Sequence, residues 1–367
     1  MSYITSWVGD HEGGYAYEER FLESLEPRIK RRKAHAREIS ESPIDTYQPR
    51  DALDAIGAIA GEQQVIMINE EHRTPVHRAL TLRLLPILYA KGFRYLAAET
   101  LFESDPELNK RGYPTQETGY YSADPVFGDL IRTALKIGYK LVPYEHVRAV
   151  RCKPSPDNPM SCDDERERGQ AKNLIARILQ ADPQAKILVH AGRDHNAEKS
   201  TEYLSMMGWH FKQLSKIDPF TIDQMHMSER RNPADEEPLY RYVTREREFA
   251  RPTVFQSESG EFWKGGASHD MTVFNPRARY EQGRPTWLKL GGLRKPQVLD
   301  FEKLDRAEPV LVQAFMAEEG ENAVPVDQVL LYPGKDVPVL MLPSGTMRVR
   351  AIDKSGRVLG SYEVTLP

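Results

Sequence analysis

The sequence predicts an α/β protein in which helices cover a mostly parallel sheet, followed by a small all-β sandwich. Two observations predict the α/β part: from Gln63 onward, apolar runs of strand length alternate with segments of helical periodicity, and polar residues stand where several of these runs stop. After Pro309, four short runs of alternating apolar residues, separated by Gly, Pro and Asn, predict the sandwich. We therefore expect an α/β domain over residues 1–300 and a β-sandwich domain over residues 305–367.

The α/β part consists of elements that alternate along the chain. Pro75 stands in the first turn of the first predicted helix, where its missing N–H costs nothing. A long insertion at residues 102–125, rich in Gly, Pro and Tyr, is interpreted as a substrate lid or pocket wall, or as an ordinary surface excursion. An extension at residues 239–300 is expected to hold edge strands at residues 272–274 and 287–290. The predicted strands are residues 64–70, 94–100, 140–146 and 185–192. The predicted helices are one that begins at the N-cap Thr74 and is ended by Gly92, residues 126–137 and residues 164–180, with another beginning near Ala197.

Composition and net charge argue against a membrane-spanning protein and against a nucleic-acid-binding protein. Of the 367 residues, 40% are hydrophobic and 28% are charged, and no apolar run reaches the roughly 20 residues of a membrane span, so we expect a soluble protein. A net charge of −4 argues against nucleic acid as a partner. The basic run at residues 28–37 is interpreted as the solvated face of an N-terminal helix in preference to a contact with a polyanion. The first residues lack a secretory signal pattern, which predicts a cytoplasmic protein, or a periplasmic one if a signal was removed.

The two cysteines, Cys152 and Cys162, lie in one loop rich in Pro and Asp. They are expected to close at most a small local ring, which is not a disulfide framework.

Residues with acid–base capacity follow the predicted strands. Because the carboxyl ends of parallel strands meet at one edge of a sheet, these side chains are expected to converge there. Carboxylates and imidazoles in one crevice change each other's proton affinity, so such a site takes a proton from water near neutral pH. The same residue types also bind zinc, manganese or iron. The strand-end residues are Glu70, Glu71, His72, Glu99, Tyr144, Glu145, His190 and His195.

Other common catalytic patterns are absent from the sequence. It contains no Gly-x-Ser-x-Gly elbow, no His-Glu-x-x-His helix and no phosphate-binding loop. A serine hydrolase is therefore not the preferred prediction.

Two motifs give the chain a resemblance to a known superfamily. The first is Asn-Glu-Glu-His at residues 69–72, followed by His77 and Arg78 and then by a strand that ends at Glu99. The second is His-Ala-Gly-Arg-Asp-His at residues 190–195. Together they resemble the superfamily that joins erythromycin esterases, Tiki/TraB-type proteins and ChaN-like haem-uptake proteins.

The resemblance covers about residues 60–225, including the helical segment at residues 165–179. Asn69 stands where the superfamily usually has Gly, and Asn tolerates left-handed backbone angles better than most residues. The C-terminal β region is not part of the common core.

The branches of the superfamily imply three different chemistries. Erythromycin-esterase-like members use a histidine to activate water against an ester without a required metal, Tiki-like members are metal-dependent peptidases, and ChaN-like members bind haem. In the erythromycin-esterase-like interpretation, His72 is the base, Glu70 holds its imidazole, and Glu99 and Glu145 complete an acidic wall.

The preferred prediction is thus a hydrolase that cleaves an ester or amide bond of a small molecule or peptide, with no cofactor required. His190 and His195 are expected to stabilise the oxyanion or protonate the leaving group. In the metal-dependent alternative the ligands are His72, His195, Glu70 and Glu99, and in the haem-binding alternative an axial ligand is Tyr120 or Tyr144. The residues predicted to contact substrate are Glu71, His77, Arg78, Tyr120, Tyr121, Tyr144 and Arg193.

Overall fold

The structure is a computed structural model that describes residues 39–367, apart from residues 149, 231, 302, 303, 305 and 306. The basic run at residues 28–37 lies outside the described residues. Within the described ranges, no helix has the length and apolar content needed to cross a membrane.

The described residues form strands and helices in an order that alternates over the first half of the chain. The strands are β1 (Gln48–Asp51), β2 (Val65–Glu70), β3 (Phe93–Ala98), β4 (Lys140–Pro143), β5 (Lys186–Gly192), β6 (Phe220–Asp223), β7 (Thr253–Gln256), β8 (Met271–Thr272), β9 (Tyr280–Glu281), β10 (Arg284–Pro285), β11 (Lys295–Gln297), β12 (Val310–Met316), β13 (Asp327–Leu331), β14 (Leu340–Leu342), β15 (Gly345–Ile352) and β16 (Val358–Leu366). The helices are α1 (Ala52–Ile59), α2 (Val76–Ala90), α3 (Leu108–Arg111), α4 (Pro125–Ile137), α5 (Ser161–Leu174), α6 (Met207–Ser215) and α7 (Pro238–Glu246).

The central element is a six-stranded parallel sheet with the order β4-β3-β5-β2-β6-β8. Every residue of β2 is buried, because the sheet is covered on both faces. Ile66 and Ile68 pack in the core that α1, α2 and α4 share, whereas Val65 and Met67 pack in the core of α5 and α6. The predicted fold class, a parallel sheet covered by helices, is confirmed.

The register of the sheet places the predicted strand-end residues at one edge. Glu70 pairs with Gly192, and Ala98 pairs with both His190 and Pro143. The residues that follow β2, β3, β4 and β5 therefore leave the sheet side by side.

Some predicted elements are wrong. No helix begins near Ala197; the chain reaches α6 only at Met207. Residues 287–290, expected to be an edge strand, lie in the 3₁₀ turn Thr286–Gly292, because Leu290 and the two glycines after it have positive φ angles that a strand does not permit.

The C-terminal residues form antiparallel sheets. A four-stranded sheet has the order β13-β12-β15-β16, and β11 pairs with β14 in a second, two-stranded sheet. Alternate residues of β12 and β15 are buried against Leu340 and Leu342 of β14, so the two sheets share one core. This arrangement confirms the predicted antiparallel β region; the domain boundary near residues 300–305 stays a prediction.

Cys152 and Cys162 form a disulfide across ten residues. The bond closes the small local ring that the sequence permits. It joins the loop after β4 to the first turn of α5.

Buried ion pairs join the C-terminal sheets to the parallel-sheet region. Arg294, whose side chain is fully buried, donates to Asp129 of α4 at 2.8 Å and to the Val326 carbonyl at 2.5 Å. Arg132 of α4 contacts Glu319 through two bonds of 2.6 and 2.7 Å. A buried pair of this kind is costly to break, because the remaining charge is left without its partner.

We predict that Arg294→Met lowers the free energy of unfolding by about 3–5 kcal/mol, since the Val326 carbonyl loses this donor and Asp129 keeps only its longer, 3.4 Å contact with Arg132. Urea denaturation followed by circular dichroism measures the change. The control is Lys354→Met, which removes a largely exposed pair with Glu308 and should leave the midpoint in place. A wild-type midpoint for Arg294→Met would contradict the prediction.

Candidate active site

The carboxyl edge of the parallel sheet brings together side chains from distant parts of the sequence. The His190 Nε2 lies 3.0 Å from the Glu70 Oε2, although 120 positions separate the two residues. Two connected networks occupy this edge. We call Glu70, His72, Arg78 and His190 the inner cluster, and Glu99, Glu145, Arg166, Glu167 and His195 the outer cluster.

Glu70 is the centre of the inner cluster. Its Oε1 accepts from His72 Nδ1 at 2.9 Å and from Arg78 Nη2 at 2.9 Å. Its Oε2 accepts from Arg78 Nε at 2.6 Å and from His190 Nε2 at 3.0 Å. Four donors thus occupy the roughly four acceptor positions of one carboxylate. Glu70 has no capacity left for a substrate, and its geometry is that of a positioning residue.

The charge of Glu70 is stabilised by its neighbours. Burial alone would raise the pKa of Glu70, but Arg78, His190 and His72 together hold the pKa well below its ordinary value. Arg78 also pairs with Asp124 at 3.1 Å, and burial raises the pKa of that carboxyl. The inner cluster is therefore a buried charge network around an ionised Glu70.

Arg166 of α5 is the centre of the outer cluster. Its Nη2 donates to Glu99 at 2.9 Å and to Glu145 at 2.5 Å, and its Nη1 lies 3.0 Å from His195 Nε2. On the other side of the His195 ring, Nδ1 lies 2.5 Å from Glu167 Oε1. Glu167 is fixed in turn by the Met207 N–H, which donates to it at 2.8 Å.

The outer cluster favours the protonated form of His195. Burial lowers the pKa of His195, but Glu99 and Glu167 outweigh that effect, so the pKa lies above its ordinary value. Burial alone would raise the pKa of Glu99. The positive groups His195, His72 and Arg166 outweigh this effect, so the pKa of Glu99 lies below its ordinary value. The His195 Nε2 lies 3.6 Å from Glu99 Oε1, so a protonated ring can donate toward Glu99, whereas a neutral ring can accept from Arg166.

The two clusters meet at Gly192, the last residue of β5. A β-carbon on Gly192 would lie 2.5 Å from His72 Nε2 and 2.7 Å from Glu99 Oε2. The Gly192 N–H donates to the same Glu99 oxygen at 2.6 Å. Glycine at this position therefore permits the approach of the His72 ring to Glu99.

Exposure increases from the inner to the outer cluster. The Glu70 side chain is 2% exposed and that of His72 is 8% exposed, whereas Glu145 and Arg166 reach 24% and 33%. The outer cluster forms the mouth of the site, and His72 lies at the boundary between the two.

Part of the insertion at residues 102–125, which we call the tyrosine-rich segment, covers His72. Tyr121 stacks on the His72 ring with centroids 3.8 Å apart and planes 10° apart, and Tyr120 contacts Tyr121 edge-on. The backbone N–H groups of Tyr121 and Ser122 donate to the Thr100 hydroxyl at 2.8 and 3.0 Å, which fixes the segment to the residues after β3. The segment supplies one wall of the site.

Four residues predicted to bind substrate lie beside the clusters. His77 is fully buried between the Glu71 N–H and the Ser228 hydroxyl, and burial lowers its pKa to about 3. Tyr144 is also fully buried and donates to the His190 carbonyl at 3.4 Å. The Glu71 side chain is buried 3.6 Å from the half-exposed Arg193, so of these four only Arg193 is open to solvent.

Sequence reasoning missed Arg166, Glu167 and Asp124. Arg166 and Glu167 are charged residues on a helix, where the ordinary expectation is a solvated face. The available signal in the sequence was the uncharged pair Gly169-Gln170, which interrupts the charged run of α5; in the structure Glu167, Gly169 and Gln170 are all buried. Asp124 is the N-cap of α4, so its position in the sequence indicates only the capping role and gives no sign of its second contact, which is with Arg78.

The donor set does not favour a divalent metal in this arrangement. Arg78 bonds to both oxygens of Glu70, and Arg166 lies between Glu99 and His195. Among the residues that the structure describes, no three His, Cys, Asp or Glu side chains form a group suited to a metal ion. For haem, the buried Tyr144 hydroxyl is already bonded to backbone, while the Tyr120 side chain is largely exposed.

The fold and the site define an α/β parallel-sheet protein with an acid–base cluster at its carboxyl edge. No family model and no curated protein sequence matches the chain. Among solved structures, the type III effector HopBA1 is 14% identical, with 64% of this chain and 99% of that chain covered and a TM-score of 0.39. ChaN of Campylobacter jejuni, which binds haem cofacially, is 12% identical over 52% and 94% of the two chains, with a TM-score of 0.35.

RRSP, a MARTX toxin effector domain from Vibrio vulnificus, is 15% identical over 48% of this chain and 36% of that chain, with a TM-score of 0.33. These values describe a partial likeness of fold. Membership of the erythromycin-esterase, Tiki and ChaN superfamily stays a prediction.

We predict that Glu167→Gln lowers the pKa of His195, because one of the two carboxylates that favour the protonated ring is lost. Because the pKa of His195 is raised in the folded protein, its contribution to stability is present in full below the ordinary value and is lost as pH rises through the folded value. In Glu167→Gln this contribution should be smaller, and its loss should be complete at a lower pH. An NMR titration of the His195 ring measures the pKa directly.

The matched control is Glu165→Gln on the same helix, whose largely exposed side chain lies near His146 instead. It should leave the His195 titration unchanged. An unshifted His195 titration in Glu167→Gln would contradict the assignment of the ion pair.

We also predict that Gly192→Ala displaces the His72 ring or Glu99, since the new methyl group would lie 2.1 Å from His72 Cε1. The His72 ring resonances should shift, and a crystal structure of the variant should show the displacement. Gly266→Ala is the control, because no atom of the described residues lies within 4 Å of its β-carbon position. An unmoved His72 ring in Gly192→Ala would show that the clusters do not meet as described.

Proposed function

We propose that the protein is a hydrolase that uses His72 as the general base and His195 as the general acid on an ester or amide. One observation carries the proposal: the Nδ1 of each imidazole lies within 2.9 Å of a buried carboxylate, His195 Nε2 lies 3.6 Å from Glu99, and His72 Nε2 and Glu99 both approach Gly192. The carboxylates are Glu70 for His72 and Glu167 for His195. Imidazoles oriented in this way are suited to moving protons near neutral pH.

Glu70 selects the working form of His72. An ionised Glu70 accepts a hydrogen bond, so the neutral imidazole carries its proton on Nδ1 and leaves the Nε2 lone pair free. The Nε2 lies next to Gly192 at the boundary of the exposed mouth. In this scheme Nε2 removes a proton from a water molecule, which attacks the carbonyl carbon of the substrate.

The outer cluster supports the second half of the reaction. Attack by water places negative charge on the carbonyl oxygen, and the partly exposed guanidinium of Arg166 is suited to stabilise that charge. Collapse of the tetrahedral intermediate breaks the bond to the leaving group, which takes the proton from His195 Nε2. The neutral His195 then accepts a hydrogen bond from Arg166. His72 then releases its proton to solvent and His195 takes one up from solvent, which restores both imidazoles to their starting forms.

The remaining predicted residues have supporting roles in this proposal. Arg78 and His190 position Glu70, whereas Glu99 and Glu145 position Arg166. Tyr121 holds the face of the His72 ring. A small-molecule or peptide substrate would enter past Glu145, Arg166 and the exposed Tyr120.

We predict that His72→Ala reduces turnover by about 10²–10⁴-fold, the contribution typical of a general base, while the fold is retained. Release of product from a panel of p-nitrophenyl esters, p-nitroanilides and short peptides measures turnover. Circular dichroism and urea denaturation check the fold.

The control is His210→Asn on α6, whose ring contacts Asp164 instead of either cluster. This variant should keep wild-type turnover. If His72→Ala retains wild-type activity on a substrate that the wild type cleaves, His72 is not the base. Loss of activity on chelation, restored by one equivalent of metal, would support the metal-dependent alternative instead.

A further inference from the structure

A second concave surface lies outside both clusters. It is a cleft of about 450 Å³ between one face of α2, residues 250–252, residues 276–279 and the 3₁₀ turn Thr286–Gly292. Its volume is within the range of about 300–1,000 Å³ typical of small-molecule sites. We call this surface the basic cleft, because of the side chains that line it.

Among the residues that the structure describes, all ionisable side chains that line the basic cleft are basic. They come from four separate parts of the chain, so no single charged run explains their convergence. The five residues are Arg83, Arg251, Arg277, Arg279 and Lys289.

Four of these side chains have acidic partners that do not line the cleft. Arg277 pairs with Glu236 at 2.8 Å, and Lys289 pairs with Glu281 at 2.6 Å. The other two pairs join Arg251 to Asp51 at 3.6 Å and Arg279 to Glu248 at 2.5 Å. None of these four acids lines the cleft, so they pair with the basic groups without adding negative charge to its lining.

Arg83 differs from the other four basic residues. Within the described part of the chain, no carboxylate lies within 4.0 Å of its guanidinium and no hydrogen bond engages it, although the residue is half-buried. The side chain lies over Gly291, where a β-carbon would be 3.1 Å from Arg83 Nε. A half-buried guanidinium without a partner is suited to an anion that arrives from solution.

The turn beneath Arg83 has an unusual backbone. Leu290, Gly291 and Gly292 have φ angles of 47°, 72° and 102°. A leucine in the left-handed region is uncommon, and such strain is often found at ligand sites. Here the turn gives Arg83 and Lys289 access to the same cleft.

The floor of the basic cleft is apolar. Val76, Ala79 and Leu80 lie on one face of α2, and Pro252 and Trp287 complete the surface. Apolar surface beneath a charged rim fits a ligand that has an organic body as well as charge. An inorganic anion alone would leave this floor uncovered.

We propose that the basic cleft binds a small organic polyanion with phosphate-type charge and a planar or apolar body, the chemistry of a nucleoside diphosphate. The charged end contacts Arg83 and Lys289, and the body packs on Trp287 and the α2 face. The proposal does not depend on the hydrolase activity, because the two sites share no side chain.

The test is isothermal titration calorimetry of the full chain with ADP, pyrophosphate and adenosine as separate probes. ADP should bind saturably, pyrophosphate more weakly, and adenosine least. Arg83→Gln should weaken ADP binding by at least about ten-fold, the effect of losing one charge-assisted hydrogen bond in a partly buried site. Lys289→Gln should also weaken it, which covers the case in which Arg83→Gln misfolds.

The matched control is Arg357→Gln, which removes the same charge from an exposed turn of the C-terminal sheet. It should leave ADP affinity unchanged. The proposal is overturned if ADP does not bind saturably, if adenosine binds as tightly as ADP, or if Arg357→Gln weakens binding as much as Arg83→Gln, which would indicate a diffuse charge effect.

Discussion

The buried carboxylate of Glu70 is the constraint on which the candidate active site depends. It accepts four hydrogen bonds from three side chains, which lie in the turn after β2, in α2 and in β5. Removing any one partner would leave a buried charge incompletely compensated, which costs several kcal/mol. The network therefore fixes the orientation of His72 and ties it to the strand register.

The parallel sheet makes this convergence possible. In the observed order, β5 lies between β3 and β2, so Glu99, Gly192 and Glu70 leave adjacent strands at the same edge. Two carboxylate–imidazole pairs result, one from β2 and one from α5 and the loop after β5. The site thus combines a rigid inner part, set by the strands, with a more exposed outer part that Arg166 organises.

The sequence predicted the parts of this arrangement that depend on periodicity. Apolar runs predicted the strands, and their polar ends predicted Glu70, His72, Glu99 and His190, because strand geometry forces such residues to one edge. Arg166 and Glu167 could not be found in this way, since a charged helical face looks the same whether it meets water or a buried His195. The turn at residues 286–292 was also missed, because its apolar residues resemble a strand and only the φ angles reveal the difference.

The central claim is that ionised Glu70 holds His72 with its proton on Nδ1 and its Nε2 available as a base. The ¹⁵N chemical shifts of the His72 ring, measured in the neutral form, distinguish the two tautomers directly. Our account predicts that the Nδ1–H tautomer dominates in the wild type and that this preference is lost in Glu70→Gln. A dominant Nε2–H tautomer in the wild-type protein would contradict it.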